Sequence, residues 1–155
     1  MRRMWKLAQK HRSDILVCII LAITIWITYF WYSSGFGLNG DDYLRISQII
    51  GEPLGEVFSQ IKYWFFNKSE GRPLHPFLVF SLSYLGFQIG GLQATYLLAF
   101  CILTINAFLF YLLLKRIFNQ PSFSVTGVLA FALFPADNSK IWLTAVLGYH
   151  LALSL

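Results

Sequence analysis

Residues 15–31 read ILVCIILAITIWITYFW, an almost wholly apolar run with no charged side chain. At about 1.5 Å of rise per residue, a helix over this run, carried on through Tyr32, just crosses a hydrocarbon core of about 30 Å. Arg2, Arg3, Lys6, Lys10 and Arg12 crowd the residues before it. A basic stretch ahead of an apolar one also describes a signal peptide. No small-x-small cleavage site follows, however, and Trp26, Tyr29, Trp31 and Tyr32 form an aromatic belt suited to a retained anchor. The positive-inside rule then sets the N-terminus in the cytoplasm and everything from Ser33 onward outside.

Composition points the same way. The 155 residues are 57% hydrophobic and only 12% charged, unlike a soluble domain, in which charge is about twice as frequent. The net charge of +5 is concentrated ahead of the first span, so it reads as an orientation signal and not as a nucleic-acid footprint. Cys18 and Cys101 both fall inside apolar runs, where thiols pack as small hydrophobes; neither is expected in a disulfide or a metal site. No repeat or low-complexity tract is evident.

Working outward, Leu92 to Leu114 is a second long apolar run, closed by Lys115 and Arg116. Phe77 to Ile89 is short for a span, is interrupted by Gly86, and ends at Gly90 and Gly91. With Lys115 and Arg116 in the cytoplasm, the 92–114 helix runs from outside to inside and 73–89 is a short helix in the outer leaflet. With 73–89 crossing instead, those cations face outward, against the rule, so the first arrangement is favoured. Asn119, Gln120, Pro121 and Ser122 make a turn into a further span, about 122–135. Pro135 to Ser139 is then a second outer loop carrying Asp137, and a return helix occupies 141–155. Because that last run stops without a polar cap, the chain reads as the N-terminal part of a longer protein. The expected fold is all-α: a polytopic helical membrane protein with spans at about 15–32, 92–114, 122–135 and 141–155, and amphipathic juxtamembrane helices in the first outer loop.

That loop, residues 33–72, holds five of the seven acids: Asp41, Asp42, Glu52, Glu56 and Glu70. Ser33 to Gly40 is rich in Gly and Ser and should be irregular. Asp41 or Asp42 suits the N-cap of a short helix reaching about Ile50. After Gly51, Glu52 and Pro53 open another helix. In it Leu54, Val57, Phe58, Ile61, Trp64 and Phe65 recur at helical spacing, a stripe suited to the headgroup boundary.

Each chemistry-bearing residue has a plain reading beside a functional one. Asp41 and Asp42 read plainly as a helix cap and an exposed acid, and functionally as a general base held near a low-dielectric interface. Arg72 either snorkels to the headgroups or clamps a lipid-linked phosphate with its planar fork of donors. His75 reads as a positioned polar group, since no second His or Cys stands at ligand spacing. Asp137 is an outer-loop acid, and Lys140 beside it either neutralises it or touches phosphate. Asn106 and His150 lie in apolar runs, where polar groups usually bond across helices. Asn67, Lys68 and Ser69 spell a glycosylation sequon, relevant only in a eukaryotic lumen.

A basic-flanked span, an outer loop opening with Asp41 and Asp42, amphipathic outer helices, the GRPL stretch from Gly71 to Leu74 and short helices beyond together resemble the N-terminal module of GT-C glycosyltransferases. Within that superfamily the chain looks most like protein O-mannosyltransferases and aminoarabinose transferases. The stretch from Phe134 to Trp142 resembles the point where a span of these enzymes ends at a Pro and the next outer loop begins. The resemblance implies inverting transfer of a sugar from a polyprenyl-phosphate donor to an acceptor hydroxyl, outside the bacterial inner (plasma) membrane. It assigns the base role to Asp41, orientation of the acceptor or of a divalent metal to Asp42, and charge compensation on the leaving phosphate to Arg72. His75, Asp137 and Lys140 complete the substrate-binding set, and any metal would sit on Asp41 or Asp42. Many relatives carry Glu at the second acid, so the two roles could exchange here. Two other classes compete: a transporter or flippase subunit, which calls for polar residues lining the spans, and a non-catalytic membrane scaffold.

Overall fold

The computed structural model describes residues 2–68, 72, 74–134 and 138–152, the side chains of 2–11 and 138 excepted. Every regular element among them is helical: α1 (Arg2–Ile25), α2 (Asp41–Arg45), α3 (Leu54–Asn67), α4 (Leu74–Phe118), α5 (Pro121–Ala132) and α6 (Leu143–Ala145). The apolar run beginning at Ile15 continues α1 through a π-helical turn, Trp26–Phe30. Two stretches, Arg12–Gly35 and Leu74–Phe118, are long and apolar enough to cross a membrane. The second is folded on itself, because Gly90 and Gly91 depart from helical geometry. Gly91, at φ 68 and ψ −151, adopts a conformation that side-chain-bearing residues avoid. The pair of glycines therefore divides α4 into arms over 74–89 and 92–118, about 24 and 40 Å long. Only the second arm has the length to cross by itself.

The arms come into close contact at Gly86, whose missing side chain lets Thr95 of the returning arm come against its backbone. The second arm runs antiparallel to α1. Trp26 meets Phe100 edge-on at 5.1 Å, and Gln93 donates to the Ser33 carbonyl at 2.9 Å. At the other end, Lys115 pairs with Asp14 and the Tyr111 hydroxyl donates to the same carboxylate at 3.0 Å. The basic end of α1 and the Lys115–Arg116 end of the second arm thus lie together, in the relation the charge pattern anticipates. Leu21, Ile25, Tyr96, Leu103, Val128 and Leu147 are fully or nearly buried in the core between these helices. Ile15, Leu16, Ile19, Ile23 and Ile27 remain exposed on the outside of α1.

Asn119, in the left-handed region at φ 54, ends the second arm, and Pro121 opens α5. The span expected over 122–135 is occupied by α5, which has 12 residues and is about 18 Å long, short of the roughly 30 Å of a hydrocarbon core. The return helix expected over 141–155 is helical through 143–152, with a π-helical section at Val146–His150. Its last three residues lie outside the described residues, as do Gly71 and Pro73 of the GRPL stretch.

In the 33–72 segment, the apolar stripe of α3 divides into two halves. Val57 and Ile61 are buried with Ile49 and Phe80 of the first α4 arm, while Leu54, Phe58 and Phe65 stay exposed. The segment is too short to enclose its own core, so α3 borrows one from α4 and leaves a second apolar face outward.

Candidate functional site

The site begins at a turn that glycine permits. Gly40, at φ 48 and ψ −116, is the N-cap of α2, which makes Asp41 the first helical residue. The short helix expected to reach Ile50 ends at Arg45 and continues as a 3-10 turn over Ile46–Ile49. The two adjacent acids then diverge. Asp41 is exposed, whereas Asp42 has no accessible surface.

Asp42 does not cap its own helix. Its Oδ1 accepts the backbone N–H of Thr144 at 2.8 Å, and its Oδ2 accepts that of Leu143 at 3.1 Å. These are the first N–H groups of the helical stretch 143–152, which have no partner within that helix. A carboxylate at this end also meets the positive pole of the helix dipole. The plain reading of a cap is therefore right in kind, but the helix is a hundred residues away in sequence. Asp42 is correspondingly placed to organise protein backbone.

One turn after Asp42, Arg45 points its guanidinium at His75, with Nη1 3.0 Å from Nδ1. Arginine only donates, so Nδ1 must accept, which assigns the ring proton to Nε2. The His75 ring stacks on Tyr149 with centroids 4.3 Å apart and planes at 29°. It fills the notch left by Gly148, where an added Cβ would overlap the imidazole. Arg72 reaches Tyr149 from the exposed side, donating from Nη1 to the hydroxyl at 2.9 Å, its guanidinium carbon 5.1 Å from the ring centroid. Arg45 and Lys68 also lie over the Trp64 ring, at 5.3 and 5.7 Å. The result is a cluster of three cations and one imidazole on an aromatic floor.

The structure thus brings Asp42, His75 and Arg72 together around one helix, 143–150, with Asp41 on the outer side of α2. Lys140 stands elsewhere. It is 3% exposed and donates to the carbonyls of Phe131 at 2.7 Å and Ala132 at 3.1 Å, closing the C-terminal end of α5. Asp137, proposed with it, lies outside the described residues. Asn106 bonds across to the His150 carbonyl at 2.6 Å, the cross-helix role anticipated for polar groups in apolar runs. Ser139 Oγ lies 3.2 Å from His150 Nε2.

Arg45 and Tyr149 were not anticipated from the sequence. Arg45 stands one turn beyond the two acids, i+4 from Asp41 and i+3 from Asp42, a signal that was present. Tyr149 sits in an apolar run, and nothing local marks it.

Both Asp42 oxygens accept backbone N–H groups, and among the described residues no three His, Cys, Asp or Glu side chains gather as a metal site requires. Comparison of the chain with protein-family models, with curated proteins and with solved structures gives no match.

Proposed function

We propose that the protein is a membrane glycosyltransferase that moves a sugar from a polyprenyl-phosphate donor to an acceptor hydroxyl on the outer side of a bacterial plasma membrane. The N-terminus is cytoplasmic and the 33–72 segment outside. Lipid covers the exposed apolar face of α1. One observation carries the reading. The exposed Asp41 carboxylate shares a five-residue helix with Arg45, which joins the His75, Tyr149 and Arg72 cluster. A proton acceptor and donors suited to phosphate oxygens are thereby held on one extramembrane segment.

In this mechanism Asp41 takes the proton of the acceptor hydroxyl as its oxygen attacks the anomeric carbon. The bond to the lipid phosphate breaks on the opposite face, so the configuration inverts. Arg72, whose bond to Tyr149 is solvent-exposed, turns donors to the departing phosphate, and Arg45 adds a second positive charge. The test is transfer from a polyprenyl-phosphate sugar by the full-length protein in liposomes, with Asp41→Asn as the inactive control.

The non-catalytic scaffold is the second reading, and a specific observation favours it. Asp42 and Lys140, two of the buried charges, are both bonded to backbone at helix ends. A scaffold of this kind would insert normally and show no transfer with or without Asp41.

A further inference from the structure

We infer that Asp42 is a positioning residue. Its carboxylate is the N-terminal cap of the helical stretch 143–152, and through it α2 sets where Gly148 and Tyr149 stand against His75 and Arg72. The inference goes beyond the transferase reading and does not depend on it.

The stretch 143–152 cannot cap itself. Trp142, its N-cap residue, has extended geometry at φ −93 and ψ 121 and makes no side-chain cap. Ala145 and Val146 donate back to the Trp142 carbonyl at 3.1 and 3.0 Å. The N–H groups of Leu143 and Thr144 would remain without partners at a site where both residues are buried. Asp42 takes both, one on each oxygen. The carboxylate is fully enclosed, so the same bonds are what make its own burial tolerable.

The consequence travels along one helix face. Gly148 is four residues beyond Thr144 and so lies on the same side. That side is where the His75 ring enters, with Arg45 bonded to its Nδ1. Asp42 and Arg45 are one turn apart on α2, so α2 attaches to the 143–150 region at two points. The first is the cap, directly. The second is one turn on, through Arg45 and His75 to Gly148 and Tyr149. Loss of the first point frees the helix start and leaves the second without its register.

The test is amide hydrogen exchange on the full-length protein in nanodiscs, read for peptides covering 143–150. Asp42→Ala should speed exchange at Leu143 and Thr144 by roughly tenfold, the effect expected for removing a cap that accepts two bonds. Asp42→Asn keeps one acceptor oxygen and should restore protection in part. Asp41→Asn should leave exchange at these amides as in the parent. Because Asp42→Ala could fail to insert, a second variant tests the contact directly. In a Cys18→Ser/Cys101→Ser background, Asp42→Cys with Thr144→Cys should form a disulfide under mild oxidation. Unchanged exchange in Asp42→Ala would overturn the inference. So would equal acceleration by Asp41→Asn, or no cross-link where Asp42→Ala does not insert. Failure of transfer activity with the exchange pattern intact would count against the transferase reading alone.

Discussion

Replacing Gly86 by Ala should pry open the α4 hairpin. A Cβ at this position would lie 2.8 Å from the Thr95 Cα and 3.0 Å from its Cβ. Carbon atoms in ordinary contact stand about 3.5–4.0 Å apart, so the arms must separate by about 1 Å. No change of rotamer relieves a clash with Thr95 backbone. Overpacking of this kind costs about 1–3 kcal/mol, against which alanine gains up to about 1 kcal/mol of helix propensity. The net expectation is a loss of about 1–2 kcal/mol, or roughly a 5- to 30-fold fall in the folded-to-unfolded ratio. Gly55→Ala is the internal control. It also lies in a helix but has no atom within 4 Å of a Cβ, so it should be neutral or stabilising by up to about 1 kcal/mol. Steric-trapping measurements in bicelles read both variants on one scale. Gly86→Ala matching or exceeding Gly55→Ala in stability would refute the close approach of the arms.

Gly148→Ala should expel the His75 ring from its notch, and transfer should fall at least about tenfold while membrane insertion is unchanged; wild-type transfer would mean the His75–Tyr149 stack is dispensable. Lys140→Met removes the donor to the Phe131 and Ala132 carbonyls and should destabilise the protein by about 1–3 kcal/mol, measured by the same trapping assay, with Lys140→Arg closer to the parent. Lys115→Cys should resist a membrane-impermeant thiol reagent applied from outside intact cells, since Lys115 lies beside Asp14 at the basic end of α1; labelling from outside would invert the proposed orientation.

Much of the architecture was legible because its signals are local. The charge-free run from Ile15 announces the apolar part of α1, Gly90 and Gly91 mark the break within α4, and the 119–122 turn precedes the helix that follows. In each case a few neighbouring residues settle the backbone. The periodicity of α3 gave the stripe but not its division, since spacing tells which residues share a face and not how much of that face a neighbour covers. The site was legible only in part. Asp41, Asp42, Arg72 and His75 stand out as polar residues in an apolar chain, and three of the four converge on the 143–150 helix. What Asp42 does was hidden, because its partners are the backbone amides of Leu143 and Thr144, which every sequence supplies without any mark. The bonds of Lys140 were hidden for the same reason: among the described residues it donates to carbonyls at the end of α5.

The most direct test of the central proposal is sugar transfer by the full-length protein, reconstituted with a polyprenyl-phosphate donor and compared with its Asp41→Asn variant. The asparagine keeps the size and exposure of the side chain but cannot take the acceptor proton. The account expects turnover by the parent and a loss of about 10²–10⁴-fold in the variant, with hydrogen exchange at Leu143 and Thr144 unchanged. Equal turnover by the two proteins, or none by the parent, would contradict it.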